Sequence, residues 1–201
     1  MDLDWDPARH ATVLSERGFR FADAVAIFGG PVLVRRDDRL DYGDDRHIAV
    51  GCVGADFFTV VYTDRGAVDH HGLEIQPQGE SGMAKISLAD ALNRPSTIDR
   101  AKLDATAEGE IRAHMIEDGF DPDEQIPDAA WRVERPPAEI RQRFGLTQER
   151  FAAFIGVPLA TYRNWEQGRT SLPSGIRALF DILDREPEAS RRALGYKTEA
   201  A

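Results

Sequence analysis

The spacing of hydrophobic and polar positions changes twice along the chain. Apolar residues first recur at helical spacing, with Pro7 at one helix start and Gly18 after its end. The predicted helices cover about residues 7–17 and 20–28. Short apolar runs between polar turn clusters then predict strands at 32–34, 47–53 and 57–63. Residues 1–66 are therefore expected to form a small α+β domain, with two helices followed by an antiparallel sheet.

The periodic pattern weakens between residues 67 and 133. Residues 67–82 combine Gly, Pro and Gln without any period, which is typical of a linker. Residues 83–133 are acidic and contain one amphipathic helical pattern, over 107–118, for which Thr106 is the expected N-cap. Trp131, just before two prolines, is expected to pack on the C-terminal domain.

Helical spacing returns in residues 134–195, which are expected to be all-α. A helix begins at Pro137, a second follows the N-cap Thr147, and Gly156 makes a tight turn before a third helix over 158–167. The side chains expected in the core of these three helices are Ile140, Phe144, Phe151, Ala152, Ile155, Tyr162 and Trp165. A last helix is expected to begin at Ser171 or Leu172-Pro173. Helix, glycine turn and helix in this order predict a helix-turn-helix, and hence DNA binding.

Charge is distributed unevenly along the chain. The net charge of the 201 residues is −10, which taken whole argues against a polyanionic partner. Residues 137–201, however, carry 10 Lys or Arg against 8 Asp or Glu. Affinity for DNA must therefore come from the local placement of cations within this last third.

Several classes of protein are disfavoured by composition. The apolar runs are far shorter than the ~20 residues of a membrane span, and the acidic N-terminus has no apolar region typical of a secretory signal. One cysteine, Cys52, allows neither an internal disulfide nor a cysteine zinc cluster. The His70-His71 pair has no ligand spacing to the other histidines. We therefore expect a cytoplasmic protein without metal or cofactor.

Three ordered motifs in the N-terminal domain resemble BrnT-type toxins, ribonucleases with a fold similar to the RelE toxins. The motifs are WDPARHATVLSERGFRFADAVAIF from Trp5, YGDDRHIAVG from Tyr42 and FFTVVYTDRG from Phe57, and the similarity covers about residues 3–66. The resemblance implies that Arg46 and Arg65 contact RNA phosphates. The alternative is that both are solvated charges at strand ends or turns.

The resemblance fails after Arg65. Such toxins continue with another strand and a basic helix, whereas this chain has no Arg or Lys between Arg65 and Lys85. A ribonuclease needs cations to stabilise phosphorane charge, so the domain is expected to be truncated and inactive. Back-translation of residues 67–74, read one nucleotide later, permits Arg-Ser-Ile-Ile-Thr-Ala-Ser-Lys, which is close to the missing strand. We therefore hypothesise that a frameshift joined two genes.

The C-terminal motif LTQ…FA…IGV…T…NWEQGR, from Leu146 to Arg169, resembles the Xre/Cro-type helix-turn-helix family and specifically HigA-like antitoxins. The resemblance implies a helix from Pro158 that enters the major groove. It assigns base-facing positions to Leu159, Ala160, Arg163 and Asn164, and backbone-facing positions to Gln148, Arg169 and Thr170. For Arg163 the alternative is a surface charge paired with Glu166.

Together these features predict a DNA-binding antitoxin and autorepressor of a toxin–antitoxin operon, acting as a homodimer on double-stranded operator DNA. Residues 83–133 are then either a solvated linker or an acidic antitoxin arm that covers a toxin, in this chain or supplied separately. The rival prediction is an active ribonuclease toxin neutralised by its fused antitoxin. A ligand-sensing regulator is a third option, but residues 1–72 show no convergent polar groups typical of a ligand pocket.

Overall fold

The computed structural model of the chain describes residues 2–39, 46–63 and 84–195. Its N-terminal elements are β1 (Asp2–Trp5), α1 (Pro7–Arg17), α2 (Phe21–Ala24), a 3-10 helix (Val25–Gly29), β2 (Val32–Arg36), β3 (Arg46–Val53) and β4 (Asp56–Thr63). The predicted helices and strands are confirmed, except that the second helix changes to 3-10 geometry halfway. The predicted linker at 67–82, Arg65 and the His70-His71 pair lie outside the described residues.

Local signals determine the bounds of α1. The Asp6 carboxylate accepts a hydrogen bond from the Ala8 backbone N–H at 2.8 Å, and Pro7 occupies the first turn, where a missing N–H costs nothing. Gly18 ends the helix with φ 75°, a left-handed conformation that glycine adopts without steric cost. Val13 is the buried residue of this helix.

In the described part of the chain, the main sheet has four antiparallel strands in the order β4-β3-β2-β6, where β6 is Arg132–Glu134. In the pairing of β6 with β2, Val133 lies opposite Leu33. The fourth strand therefore comes from the end of the acidic middle segment. A sheet that begins within residues 1–66 is completed by a part of the chain about 70 positions further on.

The two faces of this sheet have different surroundings. On one face Val34 and Ala49 are fully buried against Ile27 of the 3-10 helix, and the Phe58 ring meets the Phe19 ring edge-on at 5.2 Å. On the other face Arg35 and Ile48 are buried, whereas Leu33 and Val61 are exposed. Among the residues that the structure describes, only one end of this second face is covered.

The middle segment contains more structure than the sequence predicts. It forms β5 (Ala84–Ser87), α3 (Leu88–Asn93), α4 (Arg100–Ala105), α5 (Glu108–Glu117) and a 3-10 turn (Asp128–Ala130). β5 pairs antiparallel with β1 at the start of the chain. The helix predicted over 107–118 is present as α5, but it is one of three helices in this segment and it buries no apolar face: it has no buried residue and exposes Ile111 and Ile116. Thr106 is not the N-cap of α5 either: it caps the end of α4, and its hydroxyl donates to the Lys102 carbonyl.

Five helices form the C-terminal domain: α6 (Pro137–Arg143), α7 (Gln148–Phe154), α8 (Leu159–Glu166), α9 (Ser174–Arg185) and α10 (Pro187–Ala193). The predicted core positions are all buried, together with Phe180 and Leu183 of α9. The predicted start of the last helix is wrong by one to three residues, because Pro173 is the N-cap of α9. A further helix, α10, then follows. Within the described ranges, no helix is long and apolar enough to cross a membrane.

Candidate nucleic-acid interfaces

The helix-turn-helix consists of α7 and α8, packed around an aromatic cluster. Phe151 and Tyr162 are fully buried with ring centroids 5.2 Å apart. The Tyr162 hydroxyl donates to the Pro137 carbonyl at 3.1 Å, which joins α8 to α6. Gly156, with φ 74°, turns the chain between the two helices. These contacts fix the direction in which the outer face of α8 points.

The residues predicted to contact DNA all reach the surface of this domain. Ala160 and Arg163 on α8 are exposed, as are Arg169 and Thr170 in the following loop. Three others are partly buried: Gln148, Leu159 and Asn164. Leu159 is partly buried because its side chain also packs against the core. The placement is compatible with the predicted roles, which remain predictions.

Four polar side chains connect α6, α7 and α8. Glu166 accepts hydrogen bonds from Arg141 at 2.7 Å and from the Gln148 amide at 3.1 Å. The hydrogen bond with Glu166 raises the pKa of Arg141 above its usual value. The Gln148 amide oxygen in turn accepts a hydrogen bond from Arg163 Nε at 3.3 Å. The predicted alternative partner of Arg163 is therefore wrong: Glu166 binds Arg141, and Gln148 binds Arg163.

A second group of cations lies on the N-terminal domain, where sequence patterns did not indicate it. Arg9 and Arg17 lie on the same face of α1, because eight residues span a little over two helical turns. Both form ion pairs with Asp118, which follows α5, and the Arg17–Asp118 distance is 2.6 Å. Glu117 lies 3.6 Å from Arg17. The acidic end of α5 therefore lies on the cationic face of α1.

Arg39 joins this group from the loop after β2. Its guanidinium donates to both carboxylate oxygens of Asp37, at 2.7 and 2.8 Å, and these hydrogen bonds lower the pKa of the Asp37 carboxyl. The Phe120 ring stacks on the guanidinium at 3.8 Å, and the Asp118 carbonyl accepts a further hydrogen bond at 3.4 Å. A carboxylate-bearing turn and an aromatic ring thus cover one arginine.

Arg35 of β2 shows the same arrangement on the covered end of the sheet face. Its side chain is 7% exposed, lies 3.4 Å from Glu124 and is 5.5 Å from the centre of the Trp131 ring. Trp131, which the sequence predicts to pack on the C-terminal domain, has its ring over the guanidinium of Arg35 in the N-terminal sheet. The adjacent pair Arg35-Arg36 at the end of an apolar strand is the feature of the sequence from which this site could have been found, and it was missed.

We name these residues the arginine cluster (Arg9, Arg17, Arg35 and Arg39) and the segment that covers it the acidic arm (residues 117–131). The arm presents carboxylates and aromatic rings to guanidinium groups. Phosphates and stacked bases of single-stranded RNA contact guanidinium groups in the same ways. Residues 117–131 thus cover a cationic surface of the N-terminal domain.

Arg46, predicted to contact RNA, is the first residue of β3. Strand alternation places it on the sheet face that also carries Arg35, because Arg35 pairs with Ile48. The Arg46 carbonyl accepts a hydrogen bond from the Asp37 backbone N–H at 2.8 Å. The position of Arg46 adds a cation to this face, while Arg65 lies outside the described ranges.

Comparisons with known families agree with this architecture. Residues 5–73 match the family described as "Ribonuclease toxin, BrnT, of type II toxin-antitoxin system". Residues 138–179 match the family described as "Helix-turn-helix". No curated protein and no solved structure matches the chain. The chain is thus a fusion of a BrnT-type toxin domain with a helix-turn-helix domain of the Xre type.

Proposed function

We propose that the chain is a sequence-specific DNA-binding antitoxin and the autorepressor of its own operon, with a BrnT-type domain that does not cleave RNA in this form. The observation that carries the proposal is the outer face of the helix-turn-helix. Exposed Ala160 and Arg163 lie on a helix held by a fully buried core, and exposed Arg169 and Thr170 follow in the next loop. In helix-turn-helix domains, side chains on the second helix contact base edges in the major groove, and residues of the following loop contact the phosphates beside it.

Each side chain has a role that its chemistry suits. Arg163 reads guanine through its two-pronged guanidinium, Asn164 reads adenine, and Leu159 with Ala160 contacts a thymine methyl. The backbone contacts come from three residues: Gln148, Arg169 and Thr170. Gln148 lies at the N-terminus of α7, where a phosphate is favoured by the helix dipole. In the DNA-free protein the Gln148 amide nitrogen donates one hydrogen bond to Glu166 at 3.1 Å, and its second N–H is the donor for a phosphate.

Operator recognition by one helix-turn-helix covers few base pairs, so we propose that the chain binds a pseudo-palindrome as a homodimer. A titration that gives two chains per operator, together with a loss of affinity of at least about ten-fold for a single half-site, supports the dimer. One chain per operator at saturation contradicts it.

A gel-shift titration on the chain's own upstream DNA tests the main proposal. Arg163→Ala is expected to relax specificity at one base pair, at a cost of ~1–3 kcal/mol. Arg192→Ala, which removes an exposed arginine from α10, is the matched control and is expected to bind as the wild type. If the wild type binds its upstream DNA no better than unrelated DNA at the same salt concentration, the proposal is wrong.

The acidic arm favours a second candidate function, an active ribonuclease that the same chain keeps silent. Its support is the contact of Asp118 with Arg9 and Arg17, which occupies cations that RNA would otherwise meet. The test uses the whole chain, because a fragment of residues 1–80 lacks both β5 and β6. Asp118→Arg is expected to repel the arm and expose the cluster. RNA cleavage by this variant, but not by Asp104→Arg on α4, would favour the ribonuclease; cleavage by neither favours an inactive domain.

A further inference from the structure

The loop between α8 and α9 starts at Gly168, a glycine whose surroundings leave no space for a side chain. Gly168 is buried and adopts φ 66°. A Cβ atom on this glycine would lie 3.0 Å from Leu88 Cβ and 3.1 Å from Leu88 Cγ. Helix α3 therefore touches the backbone of the helix-turn-helix, immediately before the exposed residues Arg169 and Thr170.

Helix α3 is also held by the BrnT-type domain. Its Leu92 packs so closely on Gly29, at the end of the 3-10 helix, that a Cβ there would lie 2.4 Å from Leu92 Cδ2. Ala91, on the same helix, is buried. The Ser87 hydroxyl caps α3 at 3.0 Å, and Ser87 itself belongs to β5, which pairs with β1. One short helix thus has the N-terminal domain on one side and the DNA-reading domain on the other.

The far end of the loop has a similar connection. The Leu172 carbonyl accepts a hydrogen bond from Arg177 Nη2 at 3.4 Å. Leu172 and Arg177 line the same cleft as Tyr62 of β4. The loop of residues 168–172 therefore contacts α3 at one end and borders a cleft shared with β4 at the other.

We propose that α3 holds this loop in the conformation that contacts DNA phosphates, and that Leu88 is the positioning residue. Because α3 is itself held by the BrnT-type domain, that domain pre-orients the phosphate contacts of the DNA-binding domain. The inference rests on the proposed DNA-binding function. Binding that must first order a loop loses affinity to the entropy of ordering, and a loop held in place avoids this loss. In this arrangement the toxin-type domain takes part in DNA binding without touching DNA.

The proposal predicts a specific pattern of losses. Leu88→Ala removes the atoms that lie on Gly168 beyond Cβ, and is expected to weaken operator binding about three- to ten-fold, since two side chains lose pre-orientation. Non-specific DNA should be affected by the same factor, because phosphate contacts carry no sequence information. Leu92→Ala, at the opposite anchor of α3, should act in the same direction. Val13→Ala also truncates a buried residue of the N-terminal domain, but in α1, and should leave DNA affinity unchanged.

Amide hydrogen exchange on the DNA-free chain provides a readout that does not depend on DNA binding. The Arg169 amide donates to the Asn164 carbonyl at 2.9 Å. Its exchange should accelerate in Leu88→Ala, while the Tyr162 amide in the core of α8 stays protected and Val13→Ala changes neither. Faster exchange of the Arg169 amide in Leu88→Ala, together with weaker binding of this variant to all DNA, supports the proposal that α3 holds the loop. Unchanged exchange at Arg169 overturns it, as does a loss of affinity no larger than that of Val13→Ala. If the wild type fails to bind operator DNA, the proposed function falls, and the exchange result still decides whether α3 holds the loop.

Discussion

Asp118 is the residue on which the docking of the acidic arm depends most. Its carboxylate pairs with Arg9 and Arg17, and its carbonyl accepts a hydrogen bond from Arg39. Asp118→Ala removes the two ion pairs and leaves the backbone contact in place. We expect this substitution to destabilise the chain and to release the arm from the arginine cluster.

The size of the effect follows from the burial of the two partners. The Arg17 side chain is 17% exposed, so its charge-assisted hydrogen bond contributes about 1.5–3 kcal/mol. The Arg9 side chain is 44% exposed, and a pair of that kind adds only about 0.2–1 kcal/mol. Glu117, at 3.6 Å from Arg17, offsets part of the loss. A net cost of about 2–3 kcal/mol shifts the ratio of docked to released arm by roughly 30- to 150-fold.

Two measurements on the full chain check this prediction. Urea unfolding gives the loss of stability, and fluorescence anisotropy with a short labelled single-stranded RNA reports whether the cluster becomes accessible. Asp104→Ala removes an exposed carboxylate from α4 and controls for net charge. If Asp118→Ala matches Asp104→Ala in both stability and RNA affinity, Asp118 does not hold the arm and the reasoning fails.

Four further predictions concern separate parts of the chain. Arg169→Ala should weaken binding to all DNA sequences alike and reduce the salt slope by about 1; an effect confined to one operator variant would contradict its backbone role. Glu166→Gln leaves the guanidinium of Arg141 without its charged partner and should cost about 1–3 kcal/mol in urea unfolding, whereas a cost near zero would show that the network is dispensable. The pKa of Tyr62 is raised from 10.0 to about 12, so as the pH rises the unfolded chain loses the phenol proton before the folded chain does. The free energy of unfolding should therefore fall between about pH 10 and 12, by at most ~1.4 kcal/mol per pH unit. Tyr62→Phe should reduce this fall when unfolding is measured against pH. Sequencing the gene decides the frameshift hypothesis, which is lost if no shifted frame at residues 67–74 encodes the expected strand.

Sequence alone determined the elements whose signals are local. The capped ends of α1 and the buried positions of the helix-turn-helix follow from side chains within a few residues of each other, such as Asp6 with Ala8 and Thr147 with Arg150. Helical periodicity then selects which side chains enter the core, and Phe151, Tyr162 and Trp165 are buried as predicted. The N-terminal motifs likewise indicated both the toxin-type fold and its strands.

Only the tertiary structure decided where the middle of the chain goes. β6 pairs with β2 across about 100 residues, and the position of Trp131 follows from that pairing. No periodicity marks such an arrangement, because three paired residues and a few ion pairs leave almost no pattern in the sequence. The acidic composition of the arm was visible, but its partners were not: Arg9, Arg17 and Arg39 are ordinary surface arginines until the fold brings Asp118 and Phe120 onto them. Electrostatic complementarity of this kind depends on distances between segments, and those distances exist only after the chain has folded.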